Sequence, residues 1–238
     1  MATTRRFFVE NIGQTAVLTG DEFSHAKNVL RLREGDEVVL LDGSGREYDA
    51  VINEAGKREM LCTVLSSRLS DKEPETRVKL LLGALKGDKT EFAVQKATEL
   101  GVSEIGVFSS RYCSAYMNEN KLERLAKVAR EAAKQCLRAS VPEVEYYSSL
   151  EGALASCAGY ENKLFACEFA EKSETDLRGL KGSCALVVGS EGGFAPEEFE
   201  RARAAGFAGI SLGRRILRAE TAAVAFTALT MFLLGELG

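Results

Sequence analysis

Apolar and polar residues alternate in short runs over the first seventy positions. This period of two predicts strands at Arg6-Phe7-Phe8-Val9, Ala16-Val17-Leu18, Glu37 to Leu41, Tyr48 to Ile52 and Met60 to Leu65. Asp42-Gly43-Ser44-Gly45 has hairpin chemistry and joins two of them. One stretch breaks the alternation: from Asp21 to Leu32, Phe23, Ala26, Val29 and Leu30 recur at helical spacing behind Asp21 as a cap. Short strands, tight turns and a single helix predict a small, mostly β barrel over residues 1–70. Ser70 to Thr76 is polar, contains Pro74 and lacks apolar periodicity, which marks a domain boundary.

From Val78 the rhythm changes to strand and helix in turn. Val78 to Leu85 is a near-continuous apolar run, as expected of a strand covered on both faces. A helix is predicted from Asp88 to Leu100, stopped by Gly101, then a strand at Ile105 to Phe108. The next helix, Glu119 to Ala139, carries Leu122, Leu125, Ala129, Ala132 and Cys136 down one side and Lys127, Arg130, Lys134 and Arg138 along another. It ends before Pro142. Val144 to Tyr147 and Lys163 to Cys167 read as strands around a short helix, Leu150 to Ala158. Such alternation over residues 74–238 predicts an α/β domain with a mostly parallel sheet.

The last fifty residues repeat one unit twice. Cys184 to Val188 is a strand, Gly189-Ser190-Glu191-Gly192-Gly193-Phe194 a glycine-rich turn, and Pro196-Glu197-Glu198 the start of a helix. A short strand, Gly209 to Leu212, then leads through the basic turn Gly213-Arg214-Arg215-Ile216-Leu217-Arg218 into an apolar helix from Ala219. Two such turns place backbone amides on the sheet edge where open α/β sheets bind ligands. The glycines suit positive φ and close approach to a ligand. The spacing matches neither a dinucleotide nor a P-loop fingerprint, and Glu191, Glu197 and Glu198 disfavour a polyphosphate, so a neutral or cationic small molecule fits better.

Composition narrows the picture. The chain has 238 residues, 45% of them apolar, enough for one or two packed domains. It has no apolar run of membrane-spanning length and no signal core, so a cytoplasmic protein is expected. Six cysteines without a C-x-x-C pair, and a single histidine, argue for buried thiols rather than a metal site or a disulfide framework. The net charge of −4 excludes indiscriminate coating of nucleic acid. Residues 77–138, however, carry twelve Lys/Arg against seven Asp/Glu, and residues 143–238 nine against fourteen, which permits a local nucleic-acid footprint.

The glycine-rich turn, followed by Leu212-Gly213-Arg214-Arg215-Ile216-Leu217-Arg218-Ala219-Glu220-Thr221-Ala222, resembles the paired C-terminal signatures of the RsmE family, the 16S rRNA (uracil(1498)-N3)-methyltransferases of the SPOUT superfamily. Phe23-Ser24-His25, Val29-Leu30-Arg31 and Gly35-Asp36 resemble the family's PUA-like N-terminal domain. Lys86-Gly87-Asp88-Lys89, Gln95 to Gly101 and Ala132 to Arg138 before Pro142 resemble the first half of its catalytic domain. The chain departs from the family pattern at Ser190, where proline is usual, at Cys136, where a small hydroxyl residue is usual, and at Lys134, where an acidic residue is common.

The resemblance implies a SPOUT-type trefoil-knotted α/β domain at 74–238 behind a PUA-like β-barrel RNA-binding domain at 1–70. The knot rests on it alone, since threaded connections are very rare. It also implies a homodimer that binds S-adenosylmethionine and acts on 16S rRNA of the small ribosomal subunit. Backbone groups of Leu212, Gly213, Ile216 and Leu217 would read the adenine, with Ser211, Arg218, Thr221 and Ala222 beside them. Val188, Gly189, Ser190, Glu191, Gly192 and Gly193 would pass the ribose and methionine parts, and Cys167 and Glu168 would form a third wall. Arg218 is assigned to stabilise the uracil anion, with Glu191 or Glu220 to accept the proton or orient the base. Arg5, Arg6, His25, Arg31, Lys127, Arg130 and Arg138 are assigned to RNA. Competing readings are a non-catalytic RNA-binding assembly factor and methylation at another RNA site.

Overall fold

The computed structural model describes residues 5–167 and 174–238, and the chain packs as two units, Met1–Glu73 with Ala133–Val141, and Pro74–Ala132 with Pro142–Gly238. In the first unit the alternating segments become strands β1 (Arg6–Phe8), β2 (Thr15–Leu18), β3 (Glu37–Leu41), β4 (Arg46–Ala55) and β5 (Met60–Leu69), paired in the order β1-β3-β4-β5-β2. All neighbours are antiparallel except β1 with β3. The inward positions of the alternation, among them Phe7, Leu18, Leu40, Ile52 and Met60, are fully buried together.

The helix predicted at Asp21 to Leu32 is shorter and split. Helix α1 (Gly20–Ser24) passes into a π-helical turn, His25–Val29, and Arg31 takes a left-handed φ of 55° that no helix continues through.

The second unit holds a six-stranded parallel sheet: β6 (Val78–Gly83), β7 (Glu104–Phe108), β8 (Glu143–Tyr147), β9 (Asn162–Ala166), β10 (Cys184–Val188) and β11 (Ala208–Ile210), in the order β11-β9-β10-β6-β7-β8. Helices α2 (Lys89–Glu99), α3 (Glu119–Gln135), α4 (Leu150–Ala155), α5 (Pro196–Ala204) and α6 (Ala219–Leu233) connect or follow the strands. The chain fills one side of β6 with β7 and β8, then the other with β9, β10 and β11. This change of direction falls between β6 and β10, the kind of position outside which α/β sheets bind ligands.

The apolar run at β6 has one exception, Lys79, which is buried. Its ammonium donates to the Tyr147 hydroxyl at 3.0 Å and pairs with Glu104 at 3.1 Å. Burial alone would lower its pKa, but these partners outweigh burial and hold it above the ordinary lysine value.

Helix α3 stops at Gln135 rather than at Ala139, because Leu137 adopts φ 69° and the Arg138 N–H turns back to the Ala133 carbonyl at 2.9 Å. Glu73 fixes this end by accepting from the Ala139 and Ser140 N–H groups at 2.7 and 2.9 Å.

Candidate functional site

Strand β10 is buried along its whole length, and its turn is held from below by Phe194. That ring stacks 6.3 Å from Phe108 and tilts 4.3 Å from Phe165, so it plugs the core and pulls the turn onto it. A Cβ on Gly189 would stand 2.9 Å from the Phe194 ring, and one on Gly192 would stand 2.6 Å from the Cβ of Tyr112. Only Gly193 of the three glycines has positive φ, 66°. The other two are required for room rather than for torsion, which differs from the sequence expectation. Gly83, at the end of β6, meets the same need, since a Cβ there would lie 2.5 Å from the Ser190 nitrogen.

The helix after this turn starts at Pro196, and the buried Glu198 organises its entry. One carboxylate oxygen accepts from the Ala195 N–H at 2.8 Å, and the other from the Arg111 N–H at 2.9 Å, tying the turn to the loop after β7.

The second turn follows β11, on the far side of β9, so the two turns flank Cys167 at the end of β9. Between them lies a cavity of about 600 Å³. Of the predicted cofactor residues, Cys167, Val188, Gly189, Ser190, Glu191, Gly193, Ser211, Leu212, Gly213, Ile216, Leu217, Arg218 and Ala222 line it. Glu220, predicted for catalysis, lines it as well. Gly192 and Thr221 are not in its wall, and Glu168 lies outside the described residues.

The wall also holds residues that the sequence reading gave no site role: Lys89, Phe194, Arg214 and Arg215. Lys89 sits in a segment whose resemblance to the family was visible, but nothing in the sequence paired it with a glutamate 102 positions away.

That pairing changes the electrostatics expected of the first turn. Glu191 accepts from the Lys89 ammonium at 3.0 Å and from the Lys86 N–H at 3.1 Å. Burial pushes its pKa up, but the hydrogen bonds from Lys86 and Lys89 and the Lys89 charge prevail and hold it below the usual carboxylate range. Its negative charge is therefore largely compensated. Glu220 differs: its Oε2 is buried with no hydrogen-bond partner among the described residues, as is Ser190 Oγ. Arg218 caps α6 with its backbone in an extended conformation, is exposed, and makes no ion pair among the described residues.

The RNA candidates divide by burial. Arg31 and Lys127 are exposed, as is Arg5, which pairs with Asp36 at 3.0 Å; Arg130 is partly exposed. His25 packs edge-on to Phe7. Arg138 is instead buried in an ion pair with Glu73 at 3.1 Å, and the half-buried Arg6 pairs with Glu47 at 2.7 Å, so both guanidinium groups are engaged within the first unit. Lys134, the departure from the family pattern, pairs with Glu22 at 2.9 Å.

A family model described as an RNA methyltransferase domain matches residues 72–231, and one described as an RNA methyltransferase PUA domain matches residues 18–65. The chain is 32% identical over 236 residues to the ribosomal RNA small subunit methyltransferase E of Bacillus subtilis, covering 92% of each protein. It is 33% identical over 229 residues to that of Mycobacterium tuberculosis, covering 91% of this chain and 87% of the relative. Among solved structures, a ribosomal RNA small subunit methyltransferase E from Neisseria gonorrhoeae bound to S-adenosyl methionine superposes with a TM-score of 0.89 at 30% identity, over 98% of each chain.

Proposed function

This chain belongs to the ribosomal RNA small subunit methyltransferase E family, and from that premise we propose that it uses S-adenosylmethionine to methylate N3 of a uridine in 16S rRNA. The observation that carries the reading is the cavity at the ends of β9, β10 and β11, walled by the two turns that the sequence singles out. Its volume suits a ligand of this size. Two wall residues, Ser190 and Glu220, hold buried polar atoms without a partner among the described residues, and Ile210, Leu212 and Leu217 give the apolar surface that an adenine requires.

Bound there, S-adenosylmethionine supplies an electrophilic methyl group on a positively charged sulfonium. The imide nitrogen of uracil keeps its proton at neutral pH, so the protein must accept that proton and stabilise the charge left on the ring. We assign Arg218 to the second task, because it lines the cavity, is exposed, and makes no ion pair among the described residues. Glu220 suits the first task better than Glu191, whose carboxylate is already taken by Lys86 and Lys89.

In this reading residues 1–70 bind RNA through exposed cations such as Arg5 and Arg31, residues 74–238 form the knotted methyltransferase domain, and the protein acts in the cytoplasm. Phe92 on α2 and Leu229 and Phe232 on α6, all exposed on helices that pack against each other, are the surface for a second copy. Sedimentation of Phe232→Glu should then show monomer where the parent is a dimer.

The test of the activity is nucleoside mass spectrometry with primer extension on small-subunit RNA from cells with and without the gene. Loss of one 3-methyluridine is expected on deletion. An unchanged 3-methyluridine content sinks the reading.

A further inference from the structure

The loop from β7 to α3 carries two exposed aromatic rings that lie outside the wall of the large cavity. Tyr112 is 48% exposed and Tyr116 73%. The loop itself is well anchored. Met117 is buried, Cys113 Sγ donates to the Ala84 carbonyl at 3.1 Å, and Asn118 Oδ1 accepts from the Lys121 N–H at 3.0 Å as α3 begins. A fixed loop that holds a tyrosine ring in water exposes apolar surface suited to a partner.

Between this loop and the Lys86-Gly87 turn lies a second cavity, about 330 Å³, walled in part by Lys86, Glu91, Tyr116, Lys121 and Arg124. Arg124 is neutralised by Glu91 at 2.8 Å. Lys121 uses one proton of its ammonium on the Tyr116 carbonyl at 2.6 Å, which fixes the tyrosine's backbone and leaves two donors and the charge. Lys86 is exposed and makes no ion pair among the described residues. A tyrosine and two available ammonium groups in the wall of one space that suits a nucleotide match single-stranded nucleic acid: a base to stack and a phosphate to hold.

The position is informative too. The Lys86 N–H donates to Glu191 of the large cavity, and Gly192 lies against Tyr112, so the two cavities border the same turns. We propose that the second cavity holds a nucleotide flanking the methylated uridine, with its base stacked on Tyr116 and its phosphate held by Lys86 and Lys121. This rests on the methyltransferase reading of the large cavity.

The test is retention of small ribosomal subunits, purified from cells lacking the gene, by the full-length protein in the absence of methyl donor. Tyr116→Ala should weaken binding by ~10-fold or more, and Tyr116→Phe, which keeps the ring, should stay close to the parent. Lys86→Gln and Lys121→Gln should each reduce the slope of log Kd against log salt, together by the roughly 0.7–0.9 that one phosphate contributes. Calorimetric affinity for S-adenosylmethionine should be unchanged in all four. Parent-like retention by Tyr116→Ala, equal loss in Tyr116→Phe, or unaltered salt slopes would each overturn the proposal. Retention is read without the donor, so it decides the role of Tyr116 independently. A parent protein that fails to bind the donor instead removes the reading of the large cavity.

Discussion

Replacing Gly83 with alanine asks whether the large cavity depends on two strand ends approaching without a side chain between them. The new Cβ would stand 2.5 Å from the Ser190 nitrogen and 2.9 Å from the Gly189 carbonyl carbon. Ordinary contact begins near 3.4 Å, so one main-chain segment must retreat by nearly an ångström. Neither gives easily. Gly83 is in register with Phe108 in the sheet, and the Ser190 carbonyl accepts from the Gly193 N–H at 3.0 Å within the turn. Overpacking of this kind costs about 1–3 kcal/mol. For a chain of this size that lowers Tm by roughly 2–12 °C. Because Gly189 and Ser190 wall the cavity, the same shift should weaken S-adenosylmethionine at least ~10-fold, about 1.4 kcal/mol. Scanning calorimetry and isothermal titration read the two effects. Gly159→Ala is the control, since nothing lies within 4 Å of its added Cβ, and it should bind normally. Parent-like melting and affinity in Gly83→Ala would refute the argument.

Arg218→Ala should leave S-adenosylmethionine affinity nearly intact while turnover on small subunits falls by about 10²–10³-fold, and the opposite pattern would reassign the residue. Glu73→Gln should destabilise the protein by about 1–3 kcal/mol at pH 7 in urea unfolding, because it removes the negative charge that faces the buried Arg138. Burial raises the pKa of Glu73, but Ser140, Arg138 and the Ala139 N–H lower it further, so the folded value lies below 4.5. Its contribution is therefore present above pH 4.5 and lost as pH falls through the folded value, and the gap between parent and variant should shrink in acid. With a thiol reagent at pH 8, Cys62 and Cys184, both pushed by burial to about 11, should stay unmodified in the native protein. Half-buried Cys167 should react, and S-adenosylmethionine should protect it, as mass spectrometry of the labelled peptides would show.

The sequence by itself determined the kinds of element and their order, because hydrophobic periodicity is local. Glu37–Leu41 is a strand with the predicted bounds, and every strand of the parallel sheet overlaps a predicted one. Strands β4 and β5 extend past their apolar runs to Ala55 and Leu69, since backbone pairing continues where side chains face water and leave no hydrophobic signature. The glycine-rich turn and its basic counterpart were legible for the same reason, and so were most of the cavity's wall residues.

Long-range packing decided the rest. The strand order brings the ends of β9, β10 and β11 together. It sets Gly83 beneath Ser190, pairs Glu191 with Lys89, and buries Arg138 on Glu73. A pattern along one segment records which face is apolar. The partner that meets that face, or quenches its charge, is supplied by residues tens of positions away and is fixed only when the chain closes on itself.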